Sequence, residues 1–208
     1  MPGTVLAIDS NFEDLTQAAS IYREQHVYPY LESKGYHVNL LQGSQVDYDS
    51  VKEAASDPPV VLVTGVSHGT PDAFTGYFGV PVLKVGEYAP AEVNGKIIHF
   101  LSCGTAKILG RDVVYTGGCR AFFGYDQPFF LDLDDSANFF FECDGEIDRA
   151  LADGLNAADA VARAKALFNQ RIQELAGNPS AARLEFDCAH LKSPSDDRQW
   201  GDPTAKLP

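Results

Sequence analysis

The sequence predicts an α/β sandwich with a mostly parallel central sheet. Residues 4–8, 60–63 and 97–101 are short apolar runs without polar alternation, the pattern of strands covered on both faces. Longer stretches with apolar residues three and four apart separate them, so strands and helices alternate along the chain. With 208 residues, the chain is long enough for one domain whose core needs no disulfide or metal to hold it.

The elements follow in order. After the first strand, Ser10 and Glu13 have the spacing of a capping box, in which each side chain satisfies an orphan amide at a helix start. Phe12, Leu15, Ala19, Tyr22, His26 and Tyr30 then mark one helical face, with a break expected at Pro29 and an end at Gly35. Residues 36–41 read as a second strand, and Val51, Ala54 and Ala55 as a short helix. Residues 60–63 form the third strand, 77–86 a small hairpin, 97–101 the fourth strand and 121–124 the fifth. Two helices are expected, at 136–151 before Gly154 and at 157–175 before Gly177, the latter capped by Asn156. Residues 184–188 suggest a last strand. The domain is drawn as 1–177, with 178–208 as an extension that ends, beyond Ser193, in a loose tail.

Composition excludes several classes of function. The chain carries 16 Lys and Arg against 29 Asp and Glu, a formal net charge of −13, which disfavours nucleic acid or an anionic membrane as partner. No run approaches the ~18 apolar residues of a membrane-spanning helix, and the first residues lack the basic flank of a signal peptide. A cytoplasmic protein is the expectation. The four cysteines show no C-x-x-C spacing, so neither a zinc site nor a redox pair is suggested. No phosphate-binding glycine motif follows a strand, which argues against a nucleotide or flavin protein, and no cofactor is expected. A tyrosine-phosphatase reading also fails, because the first arginine after Cys103 is Arg111, too late for C-x5-R.

His68-Gly69 and Cys103-Gly104 each lie just past the carboxyl end of an apolar strand, where open α/β sheets bind their ligands. A cysteine attacks as its thiolate and needs an imidazole to move the proton, together with amides aimed at the developing oxyanion. Glycine after each reactive residue permits close approach of backbone. His68 and Cys103 are therefore the candidate catalytic pair, with the amides of Gly69 and Cys103 as the oxyanion hole.

Read together, residues 60–69 and 96–106, with the histidine preceding the cysteine, resemble the caspase-like superfamily of clan CD cysteine peptidases. Leu101-Ser102-Cys103-Gly104-Thr105 is closest in style to gingipain, clostripain-like and CHAT domains, and the layout is similar over about residues 4–175. The resemblance implies a three-layer α/β/α sandwich and a cysteine endopeptidase that cleaves a polypeptide through a His68–Cys103 dyad and a thioester. It also implies an extended substrate, strict selection of the residue before the scissile bond, and an activating protein partner in some members. Metacaspases carry an aspartate two positions before the cysteine. Here that position is Leu101, and Asp126 is the candidate to line the substrate pocket instead. The caspase pattern Gln-Ala-Cys-Arg-Gly is absent too. A catalytically silent domain of the same fold, acting as a protein-binding scaffold, is the alternative.

The remaining titratable groups receive plainer readings. The acidic run at 132–135 could hold calcium, as in several relatives, but reads better as a loop capping the next helix through Ser136 or Asp135. Asp144, Glu146, Asp148 and Asp153 read as the wet face of a helix. His99 reads as a core or sheet-face histidine, His26 as a helix-face residue, and His37 and His190 as exposed. Cys119, Cys143 and Cys188 read as structural thiols, with Cys119 at the start of a strand adjoining the site.

Overall fold

The structure, a computed structural model, describes residues 3–131, 133–134 and 136–208. Its centre is a six-stranded sheet in the order β2-β1-β3-β7-β8-β9, formed by β1 (Thr4–Asp9), β2 (His37–Gln42), β3 (Val60–Val66), β7 (Ile97–Leu101), β8 (Ala121–Tyr125) and β9 (Leu191–Lys192). The first five run parallel and β9 pairs antiparallel to β8. Strands β1, β7 and β8 are buried along their whole length, which is why they read as unbroken apolar runs, whereas β2 lies at an edge and is half-exposed. A three-stranded antiparallel sheet from β4 (Gly69–Thr70), β5 (Ala73–Thr75) and β6 (Pro81–Lys84) stands after β3, so the expected hairpin is real but begins earlier, directly behind His68.

Helices cover both faces. On one lie α1 (Asp14–His26), α2 (Tyr28–Ser33), α6 (Ala137–Ala152), α7 (Ala157–Glu174) and α8 (Pro179–His190), packing Ala19, Leu31, Phe140, Ile147, Ala164 and Leu184 into one apolar core. On the other, α3 (Tyr48–Ala55), α4 (Pro90–Val93) and α5 (Leu109–Tyr115) bury Val51, Val93 and Val113 against Leu6, Ile98 and Phe122. The result is the expected three-layer sandwich. Helix α1 does break before Pro29, and Asn156 caps α7 by accepting the amide of Asp159.

Several expectations are corrected. Glu13 is the N-cap residue of α1 and no side chain caps that helix, so the Ser10–Glu13 capping box does not form. Residues 184–188 are helical, within α8; the strand lies just beyond, at β9. The C-terminal residues are not loose. Trp200 is buried and donates its indole N–H to the carbonyl of Ala106, Gly201 bridges to Ala121, and Ala205 and Leu207 pack into the core beside α7. At the start of α6, Asp134 accepts from both the amide and the hydroxyl of Ser136; Asp132 and Asp135 lie outside the described residues.

The largest correction concerns α6. Asp144 and Asp148 do not face water but are fully buried against the sheet. His99 of β7 sits between them, 2.9 Å from Asp148 and 3.2 Å from Asp144. Arg23 of α1 reaches Asp148 at 2.8 Å, and Thr64, Tyr28, Asp9 and Tyr125 add further hydrogen bonds. Burial alone would lower the affinity of His99 for its proton, but the carboxylates of Asp144 and Asp148 outweigh it and hold its pKa at about 9. Asp148 responds in the opposite sense: burial would raise it, yet His99 and Arg23 hold it down at about 2.

Candidate active site

The sheet order reverses direction at β1 and β3, and the loops leaving the carboxyl ends of β1, β3 and β7 open a crevice at this switch point. It is lined by Leu15 and Thr16 from the first turn of α1, by Val66 at the end of β3 with Ser67 and His68 after it, and by Leu101 at the end of β7 with Ser102 and Cys103 after it. Phe129 and Leu131, from the segment after β8, close a cavity of about 170 Å³. The two candidate catalytic groups, distant in sequence, thus line one cavity.

The loops holding them are packed directly on each other. A Cβ on Gly69 would fall 2.6 Å from the carbonyl oxygen of Cys103 and would also strike Ser102 and Thr105. Glycine at this position is therefore dictated by loop-on-loop packing. Gly104 takes the left-handed conformation at φ 71° and donates its amide to the carbonyl of Gln127, turning the chain sharply after the cysteine. Behind His68, Ser67 shares a hydroxyl–hydroxyl contact with Ser10 and another with Thr75, fixing the end of β3 to the loop after β1.

His68 faces a partner that the sequence did not single out. Its Nε2 lies 2.6 Å from Oε1 of Glu13, both side chains being partly exposed at 46% and 40%. Phe12 packs edge-on against the same imidazole, with ring centroids 5.7 Å apart. Glu13 sits in the loop after β1, so attention to the switch point as a whole would have found it.

Cys103 is half-buried by this packing. Its Sγ accepts the amide N–H of Phe129 at 3.3 Å. Burial pushes the thiol above its ordinary pKa; the Phe129 amide pulls it down, and the negative charge of Asp187 adds to the rise. Asp187 itself, on α8, is fully buried and accepts the next amide, that of Phe130, while its second carboxylate oxygen has no hydrogen-bond partner among the described residues. Burial pushes its pKa up to about 8.

Asp126 is not in the cavity. Its carboxylate is taken up 2.8 Å from Nδ1 of His190 and 3.4 Å from Nζ of Lys192, tying α8 and β9 to the end of β8. Against the expectation that Asp126 stands beside the cysteine in place of an acidic residue two positions before it, Asp126 is absent from the lining of the cavity, whereas Leu101 is part of it. His190 is half-buried through this pairing, whereas His26 and His37 are exposed. The four cysteines are free thiols, Cys119 and Cys143 buried and Cys188 half-buried. Among the described residues, no group of three His, Cys, Asp or Glu side chains is arranged to hold a metal ion, and no helix is long and apolar enough to cross a membrane.

No family model and no curated protein sequence matches the chain. Among solved structures it is similar to gingipain R, an Arg-specific cysteine proteinase, with a TM-score of 0.63 at 13% sequence identity. The similarity covers 99% of this chain and 47% of that one, so this chain spans about half the length of that protein. The chain has the caspase-like α/β fold, the fold of clan CD cysteine proteinases.

Proposed function

We propose that the protein is a cysteine endopeptidase with Cys103 as nucleophile and His68 as acid and base. The observation that carries this reading is the shared cavity: among the described residues that line it, Cys103 supplies the one thiol and His68 the one imidazole, at the carboxyl ends of the neighbouring strands β3 and β7. In the reaction, Sγ bonds to the carbonyl carbon of the scissile peptide and the thiol proton leaves through His68 to the departing amine. Water then attacks the thioester, gives a proton to His68, and the thiol is restored as the acid product leaves. The amides of Gly69 and Cys103 are the donors assigned to the oxyanion. Glu13 holds the imidazole at the edge of the cavity. The substrate is a polypeptide, and no cofactor takes part.

A covalent inhibitor tests this. A peptidyl acyloxymethyl ketone should add to Cys103 by forming an S–C bond and expelling its carboxylate, read as a mass increase that Cys103→Ala abolishes. Failure of every first-position side chain to give an adduct on folded protein would sink the proposal.

The enclosed, proton-retaining thiol of Cys103 favours a second reading, a silent domain of the same fold that binds a partner protein. That reading predicts no ketone adduct, with partner binding unchanged in Cys103→Ala.

A further inference from the structure

The exposed wall of the cavity beside Cys103 is mainly apolar. Leu15, Val66, Leu101, Phe129 and Leu131 supply most of its surface. The polar side chains among its lining residues are already engaged or covered. Thr16 donates to the carbonyls of Ser10 and Glu13, Ser67 is held between Ser10 and Thr75, and the Ser102 hydroxyl is buried away from the cavity surface with no hydrogen-bond partner among the described residues. Among the described residues, no carboxylate or ammonium group lines it. A cavity of roughly 150 Å³ with such walls is known to take benzene, so 170 Å³ accommodates a leucine-like or phenyl side chain. An ammonium or guanidinium group entering it would lose its water and find no carboxylate on the wall among the described residues.

The apolar character continues outside. On the His68 side, Phe12, Tyr77 and Phe78 pack ring on ring, with centroid separations of 4.2–5.9 Å. Phe78 is 73% exposed, and among the described residues it is the one non-glycine in the left-handed region, at φ 55°. A bulky residue held in that conformation with its ring in water is the kind of strained, exposed feature that gathers at ligand sites.

From these observations we propose that the site selects polypeptides with an uncharged apolar side chain, aliphatic or aromatic, immediately before the scissile bond, with that side chain in the cavity lined by Leu15, Leu101 and Phe129. This rests on the endopeptidase reading above. It separates the protein from its Arg-specific structural neighbour, because the one buried carboxylate near Cys103, that of Asp187, is outside the lining and tied to the Phe130 amide.

The test is a panel of peptidyl acyloxymethyl ketones differing only in the first-position side chain: Leu, Phe, Arg, Lys, Asp and Asn. The rate of Cys103 modification is followed by intact mass, with Cys103→Ala as blank. Leu or Phe should react at least about 100-fold faster than the charged members. Leu15→Glu, on a partly exposed turn of α1, should bring Arg up relative to Phe by about 10-fold or more while the circular dichroism spectrum is unchanged. Fastest reaction with Arg, Lys or Asp would overturn the apolar selection and leave the endopeptidase reading standing. Absence of reaction with every ketone would overturn both.

Discussion

Glu13 Oε1 lies 2.6 Å from His68 Nε2, and this contact joins the loop after β1 to the loop after β3 across the mouth of the cavity. The carboxylate engages Nε2, which leaves Nδ1 as the ring nitrogen for any other partner. Glu13→Ala should therefore lower kcat by on the order of 10–100-fold with KM nearly constant, less than the loss seen for fully buried triad acids because this pair is partly solvated. Alkylation of Cys103 by iodoacetamide, which needs no general acid, should proceed as in the unaltered protein. A rise in KM with kcat preserved would assign Glu13 to substrate binding instead.

Cys103 is pushed above the ordinary thiol range by burial, against the pull of the Phe129 amide. At neutral pH its reactive thiolate is scarce, so iodoacetamide should modify it slowly, with a pH midpoint above the ~8.5 of an unperturbed cysteine. The charge of Asp187 contributes to this rise, and Asp187→Asn should move the midpoint down. A midpoint below 8 in the unaltered protein would contradict the enclosed-thiol geometry.

Asp187 also leaves a mark on stability. Its folded-state pKa of about 8 lies above the ~3.9 of an unfolded aspartate, so the fold holds this proton more tightly than the open chain does. The stabilisation is complete below about pH 4 and is lost as pH rises towards 8. Asp187→Asn keeps an acceptor for the Phe130 amide and never ionises. The stability of the variant relative to the parent should therefore grow between pH 5 and pH 8, reaching a few kcal/mol in chemical denaturation, roughly. Parallel pH profiles for the two proteins would refute this account.

The Asp144–His99–Asp148 cluster predicts a different loss. Asp148→Ala leaves Arg23 and His99 buried beside one carboxylate fewer, a change that costs about 3–5 kcal/mol. In the same variant the pKa of His99 should fall from about 9, as followed by imidazole NMR. An unaltered titration would mean that Asp148 does not set the charge of His99.

Much of this organisation was legible in the chain. The apolar runs at 60–63 and 97–101 become strands buried in the sheet, and the glycines behind His68 and Cys103 mark the loops that meet. What local patterning could not supply was the identity of distant neighbours. Asp144 and Asp148 lie four residues apart, on one helix face, but only the fold shows that this face meets His99 and Arg23. Trp200 anchors the C-terminal segment through the carbonyl of Ala106, a partner far away in sequence. Leu184, Phe186 and Cys188 alternate like a strand, whereas Asn178 as cap and Pro179 in the first turn carried the helix signal that prevails.

The contact between Gly69 and the Cys103 carbonyl has a mechanical meaning. A Cβ at residue 69 would meet the Cys103 carbonyl together with the short side chains of Ser102 and Thr105, which have little of the give of a long side chain. Tolerance at this point is therefore narrow: a single added methyl would act as a wedge, and the displaced parts would be the mounts of His68 and Cys103 themselves. The spacing of the loops that carry His68 and Cys103 thus depends on an absence of atoms at residue 69.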